Sequence, residues 1–446
     1  MSIRPPLTKD LPPDTVKLDG PDSIRQFGGV PGLVTALEGV LSREGPAVVV
    51  ATSGSTGRPK KTVVSTRALR ASAEATAGRT GGHGQWLLCL PPHYVAGVQV
   101  LVRSVLAGTT PVVMEEGPFT AQAFARTAAA MDHPIRYVSL VPTQLQRLVD
   151  AADSPGVLAA LRSFHAILLG GSAAPPALLD AARALGARVV TTYGMSETAG
   201  GCVYDGVPLP GVQVHLERTP NSGNPPSDPR TAQDPEQTSV PEGHLTPGRI
   251  WLGGPMVTDG YLDDPQQTHS HVFSSLPDAT DTANTLSATA AIRANTNTSP
   301  KSTAPSPTPM CWYRTDDLGV LETTEATTTP RLRVIGRADD VIVTGGLKVS
   351  AAVVRSRMLE HPGVRDAVVV PVADDQWGQK IVATVVPATS VPAAESSTLP
   401  DELRSMVKDA LGSAAVPKQM LLVSHIPLLP TGKPDRSAVA ELFVEE

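Results

Sequence analysis

"PAVVVATSGSTGRPKK", residues 46–61, passes from an apolar run into a loop made almost wholly of Gly, Ser, Thr and Lys. A buried strand that opens into a flexible, cationic loop has two readings. Hydroxyls and free backbone N–H groups are what a polyphosphate requires, and Lys60 or Lys61 could meet its charge. A solvated Ser/Gly turn has the same composition. The spacing is not that of a Walker A loop, where a glycine immediately precedes the lysine; here Gly57 is followed by RPKK, which disfavours an ordinary kinase or GTPase.

The neighbouring sequence sets the context. "AVVVAT" (47–52), "WLLCLP" (86–91), "TPVVM" (110–114), "IRYVSLVP" (135–142), "FHAILLGG" (164–171) and "ARVVTTYG" (187–194) read as buried strands. Ala/Leu-rich helical stretches separate them, which predicts a mostly parallel α/β sheet. From about 203 to 345, Val/Ile alternation with Gly and Pro predicts a smaller β-rich unit. Two tracts interrupt it, 219–243 and Ser274 to Pro309. Both hold too few large apolar groups to offset ordering entropy and are expected to be insertions without packed structure. "HSH" at 269–271 has no third ligand nearby, so a metal site is not expected there. After "GRADDVIVTGGLKVS" (336–350) an αββαβ pattern predicts a separate C-terminal unit. The expected fold is therefore α/β: a large N-terminal domain (1–337) with mostly parallel sheets and a β-rich subdomain, and a small mobile α+β domain (338–446).

Composition narrows the function. At 446 residues and 41% hydrophobic content the chain can bury more than one core. A net charge of -6 without a dense Lys/Arg cluster argues against nucleic-acid binding. Cys89, Cys202 and Cys311 are too scattered for a zinc cluster or disulfide framework. No run approaches the roughly 20 apolar residues of a membrane span, and "MSIRPPLTKDLPPD" has no apolar leader core. A cytoplasmic protein without membrane insertion is expected, and a homodimer is allowed.

Three further segments bear on the phosphate reading. "TTYGMSETAGG" (191–201) sets an aromatic ring, hydroxyls and Glu197 just after a buried strand, where α/β sheets bind ligands. "YRTDDLG" (313–319) packs Arg and two Asp beside a hydroxyl, and "PTGKPDR" (430–436) presents Lys433 in a Pro/Gly turn. Singly, Glu197 reads equally as a turn residue, Asp317 as a helix cap and Lys433 as a solvated tail lysine. Four such segments in this order are harder to dismiss.

The ordered set "TSGSTGRPK", "YGMSET", "YRTDDLG", "GRADDVIVTGGLKV" and "PTGKPDR" resembles the adenylate-forming superfamily of acyl- and aryl-CoA synthetases, luciferases and nonribosomal-peptide adenylation domains. The resemblance spans about Pro46 to Ser437. Within that superfamily, "LPPHYVAGVQVL", "LVPTQLQRL", "GGPM" and "TGGLKVS" look most like the o-succinylbenzoate–CoA ligases of menaquinone biosynthesis.

The resemblance implies a role for each residue. The loop Thr52, Ser53, Gly54, Ser55, Thr56, Gly57 and Lys60 would hold the ATP β- and γ-phosphates. Gly170, Gly171, Ser172, Tyr193 and Gly194 would form the adenine pocket, with Ser196 beside it. Glu197 would be the Mg²⁺ ligand, Asp317 the ribose acceptor with Arg337 next to it, and Lys433 the cation at the α-phosphate and acyl carboxylate. Asp339 would be the hinge, with Gly345 and Gly346 lining a tunnel for coenzyme A. His93 resembles a residue beside the acyl pocket and reads equally as a core histidine. The implied partners are ATP, Mg²⁺, coenzyme A and a small carboxylic acid. Two departures stand out: Lys61 occupies a position where relatives often have glycine, and the phosphate loop begins only some fifty residues in.

Overall fold

The computed structural model describes residues 11–52, 60–218, 247–276, 285–287, 310–324, 327–338, 340–388, 398–429 and 432–444. Its largest sheet has seven strands. From one edge to the other they are Val207–Pro208, Gly200–Tyr204, Val189–Met195, Ala166–Leu169, Arg136–Leu140, Gln85–Leu88 and Val112–Val113. The five from Val189–Met195 onward are mutually parallel, and Gly200–Tyr204 turns back antiparallel to Val189–Met195. Val138, Ile167 and Leu87 have no exposed surface, as expected of strands covered on both faces.

Local chemistry sets the helix ends. Ser65 caps Thr66–Thr80 by accepting from the Ala68 N–H at 3.4 Å, and Gly81 ends that helix at φ +99°, which a glycine adopts without a Cβ penalty.

The strand Pro46–Thr52 departs from expectation. It lies not in the parallel sheet but in a four-stranded one. There it runs parallel to Val16–Leu18 and antiparallel to Lys60–Ser65, which in turn pairs with Gly260–Tyr261. The strands before and after residues 53–59 are thus antiparallel neighbours. Its apolar run looks the same in either sheet, because both faces are buried: Ala47, Val48 and Val50 are at most 1% exposed.

The β-rich unit is built on Gln213–Arg218, Gly248–Gly253, Trp312–Thr324 and Thr327–Arg337. The tract expected to lack packed structure contains the strand Thr285–Ser287. It pairs antiparallel with Gln213–His215, buries Leu286 and places the Thr285 hydroxyl 3.0 Å from His215 Nδ1. Leu276 and Met310 also pack on the Trp251–Phe273–Trp312 cluster. Composition averaged over 36 residues hid two leucines, Leu276 and Leu286, in the right places.

Replacing only 288–309 by a short Gly/Ser linker is therefore expected to change stability by about 1 kcal/mol or less, because closure entropy scales with the logarithm of loop length. Leu286→Ala should cost about 2–5 kcal/mol. Thermal melts of the two variants check this: a linker variant that melts like Leu286→Ala would mean 288–309 is itself packed.

At the C-terminal end, Val364–Asp374 and Gly378–Pro387 form a long antiparallel pair. Gln419–Leu422 adds in parallel, and the helices Ala351–Met358 and Leu399–Leu411 cover the sheet. No helix among the described residues is long and apolar enough to cross a membrane.

Candidate active site

Strand Val189–Met195 ends at the short turn Ser196–Thr198, and that turn is over-determined. Thr198 Oγ1 accepts from Met195 N–H at 3.0 Å and donates to the Gly200 carbonyl at 2.7 Å, while Ala199 sits at φ +50°. A Cβ on Gly194 would stand 2.2 Å from the Gly200 oxygen, so only glycine lets the two strands close here. The outcome is a buried Glu197 held at the C-terminal end of the sheet.

Tyr193, two positions before Met195, donates its hydroxyl to Asp317 Oδ2 at 2.7 Å. Burial, and then the Asp317 charge, push the phenol well above its usual range, so it stays a donor. Asp317 comes from the strand Trp312–Thr324 and is the ladder partner of Arg337. Arg337 Nη1 lies 3.9 Å from Asp317 Oδ1, and its Nη2 lies 3.5 Å from Asp316. The Asp317 carboxylate, the Tyr193 ring and Arg337 are thus brought together from three strands. Gly170 belongs to the same wall: its backbone is so close to Thr192 that a Cβ would meet Thr192 Oγ1 at 2.5 Å. Gly171 adopts φ +85°, and Ser172 is exposed at the same turn.

Glu197 Oε1 accepts from the Tyr261 hydroxyl at 2.7 Å, and Tyr261 Oη lies 2.9 Å from Tyr313 Oη. Lys60 Nζ sits 5.7 Å from the centre of the Tyr261 ring, the ring whose hydroxyl holds this carboxylate. Residues 53–59, and with them Ser53, Gly54, Ser55, Thr56 and Gly57, lie outside the described residues; Thr52 ends the strand that leads into them.

Lys433 follows Gly432, which adopts φ +78° and would meet Val141 Cγ2 at 3.0 Å with any Cβ. The lysine turn therefore rests on the start of helix Pro142–Asp150 of the larger domain, and the last residue of that helix pairs with Arg365 of the smaller one. Burial is the largest influence on the Lys433 ammonium and lowers its pKa. Asp317 and Glu197 pull it back up, and Arg337 pushes it down. Its side chain is nonetheless exposed, so water screens part of these influences.

Glu197 fits a hard divalent cation. Oε1 is occupied by Tyr261, while Oε2 takes no hydrogen bond among the described residues, and an anionic oxygen beside a phosphate loop is what Mg²⁺ accepts. When bound, such an ion supplies charge neutralisation of the phosphates. At His269 and His271, His271 Nδ1 is 2.8 Å from the Arg314 carbonyl, and no group of three or more His, Cys, Asp or Glu among the described residues stands ready to hold a metal.

The remaining candidates sit apart. His93 is buried next to the Tyr94 ring, 4.2 Å between centroids, and burial lowers its pKa so that it is neutral near pH 7. Gly345 and Gly346 turn the hairpin between Val341–Thr344 and Leu347–Ser350, where a Cβ on Gly345 would strike Trp377 at 2.7 Å. Asp339 lies outside the described residues; its neighbour Asp340 is bound by Arg436 at 2.5 Å. Sequence reasoning missed Tyr261 and Tyr313. Tyr313 opens the quoted segment 313–319, whereas Tyr261 lies outside every quoted segment; in a chain with only six tyrosines, that scarcity was the available signal.

Sequence comparison gives the class: an adenylate-forming enzyme. Residues 10–262 match the AMP-binding enzyme family and residues 354–433 match its C-terminal domain; the chain belongs to that family. It is similar to a probable 2-succinylbenzoate–CoA ligase of Mycobacterium tuberculosis, 37% identical over 401 residues, which cover 90% of this chain and 85% of that one. Among solved structures it resembles the amide bond synthetase McbA from Marinactinospora thermotolerans (TM-score 0.62, 26% identity, covering 90% of this chain and 70% of the other). It also resembles the o-succinylbenzoate CoA synthetase MenE from Bacillus subtilis in complex with the acyl-adenylate intermediate OSB-AMP (TM-score 0.58, 25% identity, covering 90% and 70%).

Proposed function

We propose that this protein is an AMP-forming acid–thiol ligase that activates 2-succinylbenzoate (o-succinylbenzoate) and transfers it to coenzyme A, a step of menaquinone biosynthesis. The observation that carries the proposal is the 37% identity to the mycobacterial ligase across 90% of the chain, both family segments included. A substrate carboxylate oxygen attacks the α-phosphorus of ATP, and the bond to pyrophosphate breaks. The coenzyme A thiol then attacks the acyl carbon, and AMP leaves. Tyr193, Gly170, Gly171, Ser172 and Gly194 hold adenine, Asp317 and Arg337 the ribose, and Thr52–Gly57 with Lys60 the β- and γ-phosphates. Lys433 offsets the charge that develops at the α-phosphate. Glu197 holds Mg²⁺, Ser196 flanks it, and His93 borders the acyl pocket.

On this reading, 1–337 is the adenylation domain and 338–446 rotates about Asp339. Rotation withdraws Lys433 and brings the Gly345–Gly346 turn to the thiol's approach. A cytoplasmic location and a homodimer belong to the same proposal; size-exclusion chromatography with light scattering reads the latter.

ATP–pyrophosphate exchange with 2-succinylbenzoate, benzoate and fatty acids tests the acid. Coenzyme A, a carrier protein and an amine as second substrates test the acceptor. Exchange only with 2-succinylbenzoate and thioester only with coenzyme A is expected; amide formation would favour a synthetase like McbA instead. The hinge has its own test. Asp339→Pro fixes φ near −65° and should leave pyrophosphate exchange nearly intact while blocking thioester formation. Equal loss in both half-reactions would remove Asp339 from the hinge.

A further inference from the structure

One neighbour of Glu197 has no part in the roles above. The Tyr261 hydroxyl carries a single hydrogen, and a carboxylate can only accept, so that hydrogen is committed to Glu197 Oε1 at 2.7 Å. The 2.9 Å contact between Tyr261 Oη and Tyr313 Oη must then have Tyr313 as donor. The chain of donation has one direction, Tyr313 to Tyr261 to Glu197, and each bond polarises the next.

Tyr261 is also held from its backbone. It pairs with Thr62 of the strand leaving the phosphate loop, and its N–H donates to Thr268 Oγ1 at 2.9 Å. The residue is 1% exposed, and the Lys60 ammonium stands 5.7 Å from its ring centre. One side chain therefore donates to the carboxylate through its hydroxyl and offers its ring face to Lys60.

We infer that Tyr261 is a positioning residue for Glu197: its O–H fixes Oε1 and leaves Oε2 as the oxygen offered to a divalent cation, with Tyr313 fixing Tyr261 in turn. This rests on the reading of Glu197 as the metal-binding carboxylate. A tyrosine serves where phenylalanine would fill the same space, because the hydroxyl alone decides which carboxylate oxygen is free. Loss of an orienting outer-shell partner costs about 10–100-fold in metal affinity.

The test follows Mn²⁺ by electron paramagnetic resonance as it binds the full-length protein saturated with α,β-methylene-ATP. Y261F should raise the Mn²⁺ dissociation constant about tenfold, and Y313F roughly two- to threefold, since only the polarising bond is lost. A packing role would lower the melting temperature and leave the Mn²⁺ constant unchanged, which overturns the inference. E197Q separates the two readings. If it weakens Mn²⁺ binding and Y261F does not, Tyr261 is not a positioning residue. If E197Q also has no effect, the assignment of Glu197 fails first. Should Y261F not fold, Y313F carries the test, and unchanged Mn²⁺ affinity there overturns the inference.

Discussion

Lys433→Ala is expected to slow adenylate formation at least about 10²–10³-fold, the loss that follows removal of one charge-stabilising donor, or about 2.7–4 kcal/mol in barrier. Thioester formation from pre-formed acyl-adenylate should be largely kept. The asymmetry comes from where the lysine stands. Its turn is folded tightly, with Leu429 N–H donating to the Lys433 carbonyl at 2.8 Å, and Gly432 packs on Val141 of the larger domain. That docking brings the ammonium into the field of Asp317 and Glu197, the two carboxylates of the nucleotide site. A domain rotation would remove it, so only the first half-reaction should need it.

The same site predicts a pH limb. Burial lowers the Lys433 pKa below the ordinary 10.5, although the side chain is exposed and water screens part of the effect. The reaction requires the charged form. Activity is therefore complete below the lowered pKa and is lost as pH rises through it. Pyrophosphate exchange against pH should show that alkaline limb in the wild type, and Lys433→Arg should move it upward. Wild-type exchange rates in Lys433→Ala would remove Lys433 from the chemistry.

Much of this site was legible because its residues sit in short contiguous segments. "TTYGMSET" keeps its order of aromatic, glycine, hydroxyl and carboxylate whatever surrounds it, so Tyr193 and Glu197 could be named from sequence. What could not be read is which segments meet. Tyr261 reaches Glu197 across 64 positions, through a sheet that apolar periodicity does not distinguish from its neighbour. Strand Pro46–Thr52 is buried on both faces, the very pattern that suggests a parallel strand, and only its partners show that it belongs elsewhere. Leu286 was hidden for the opposite reason: two isolated packed leucines, ten positions apart in a Ser/Thr/Ala tract, leave no periodic signal. Glycines were more informative than their abundance suggests. Gly194, Gly170 and Gly432 each admit a backbone or side chain that a Cβ would exclude, and all three stand within quoted segments.

Asp317→Ala should weaken ATP binding roughly 10- to 100-fold, the equivalent of about 1.5–3 kcal/mol for hydrogen bonds to a charged group. Two roles for Asp317 predict different companions to that loss. As the ribose acceptor, its carboxylate would take a ribose hydroxyl in addition to the Tyr193 hydroxyl on Oδ2. The wild type should then bind ATP better than 2′,3′-dideoxy-ATP, and the variant should bind the two alike. As a structural anchor only, Asp317 would fix Tyr193 and Arg337, and the variant would lose affinity for both nucleotides while keeping its preference. Stability confuses the two, because alanine leaves the Tyr193 hydroxyl without its acceptor, at about 1–3 kcal/mol for a buried group. Combining Asp317→Ala with Tyr193→Phe removes donor and acceptor together. Part of the lost melting temperature should return in that double variant, whereas discrimination between ATP and the dideoxy analogue should not. Restored discrimination would assign the hydroxyl recognition to another residue and leave Asp317 as the clamp on Tyr193.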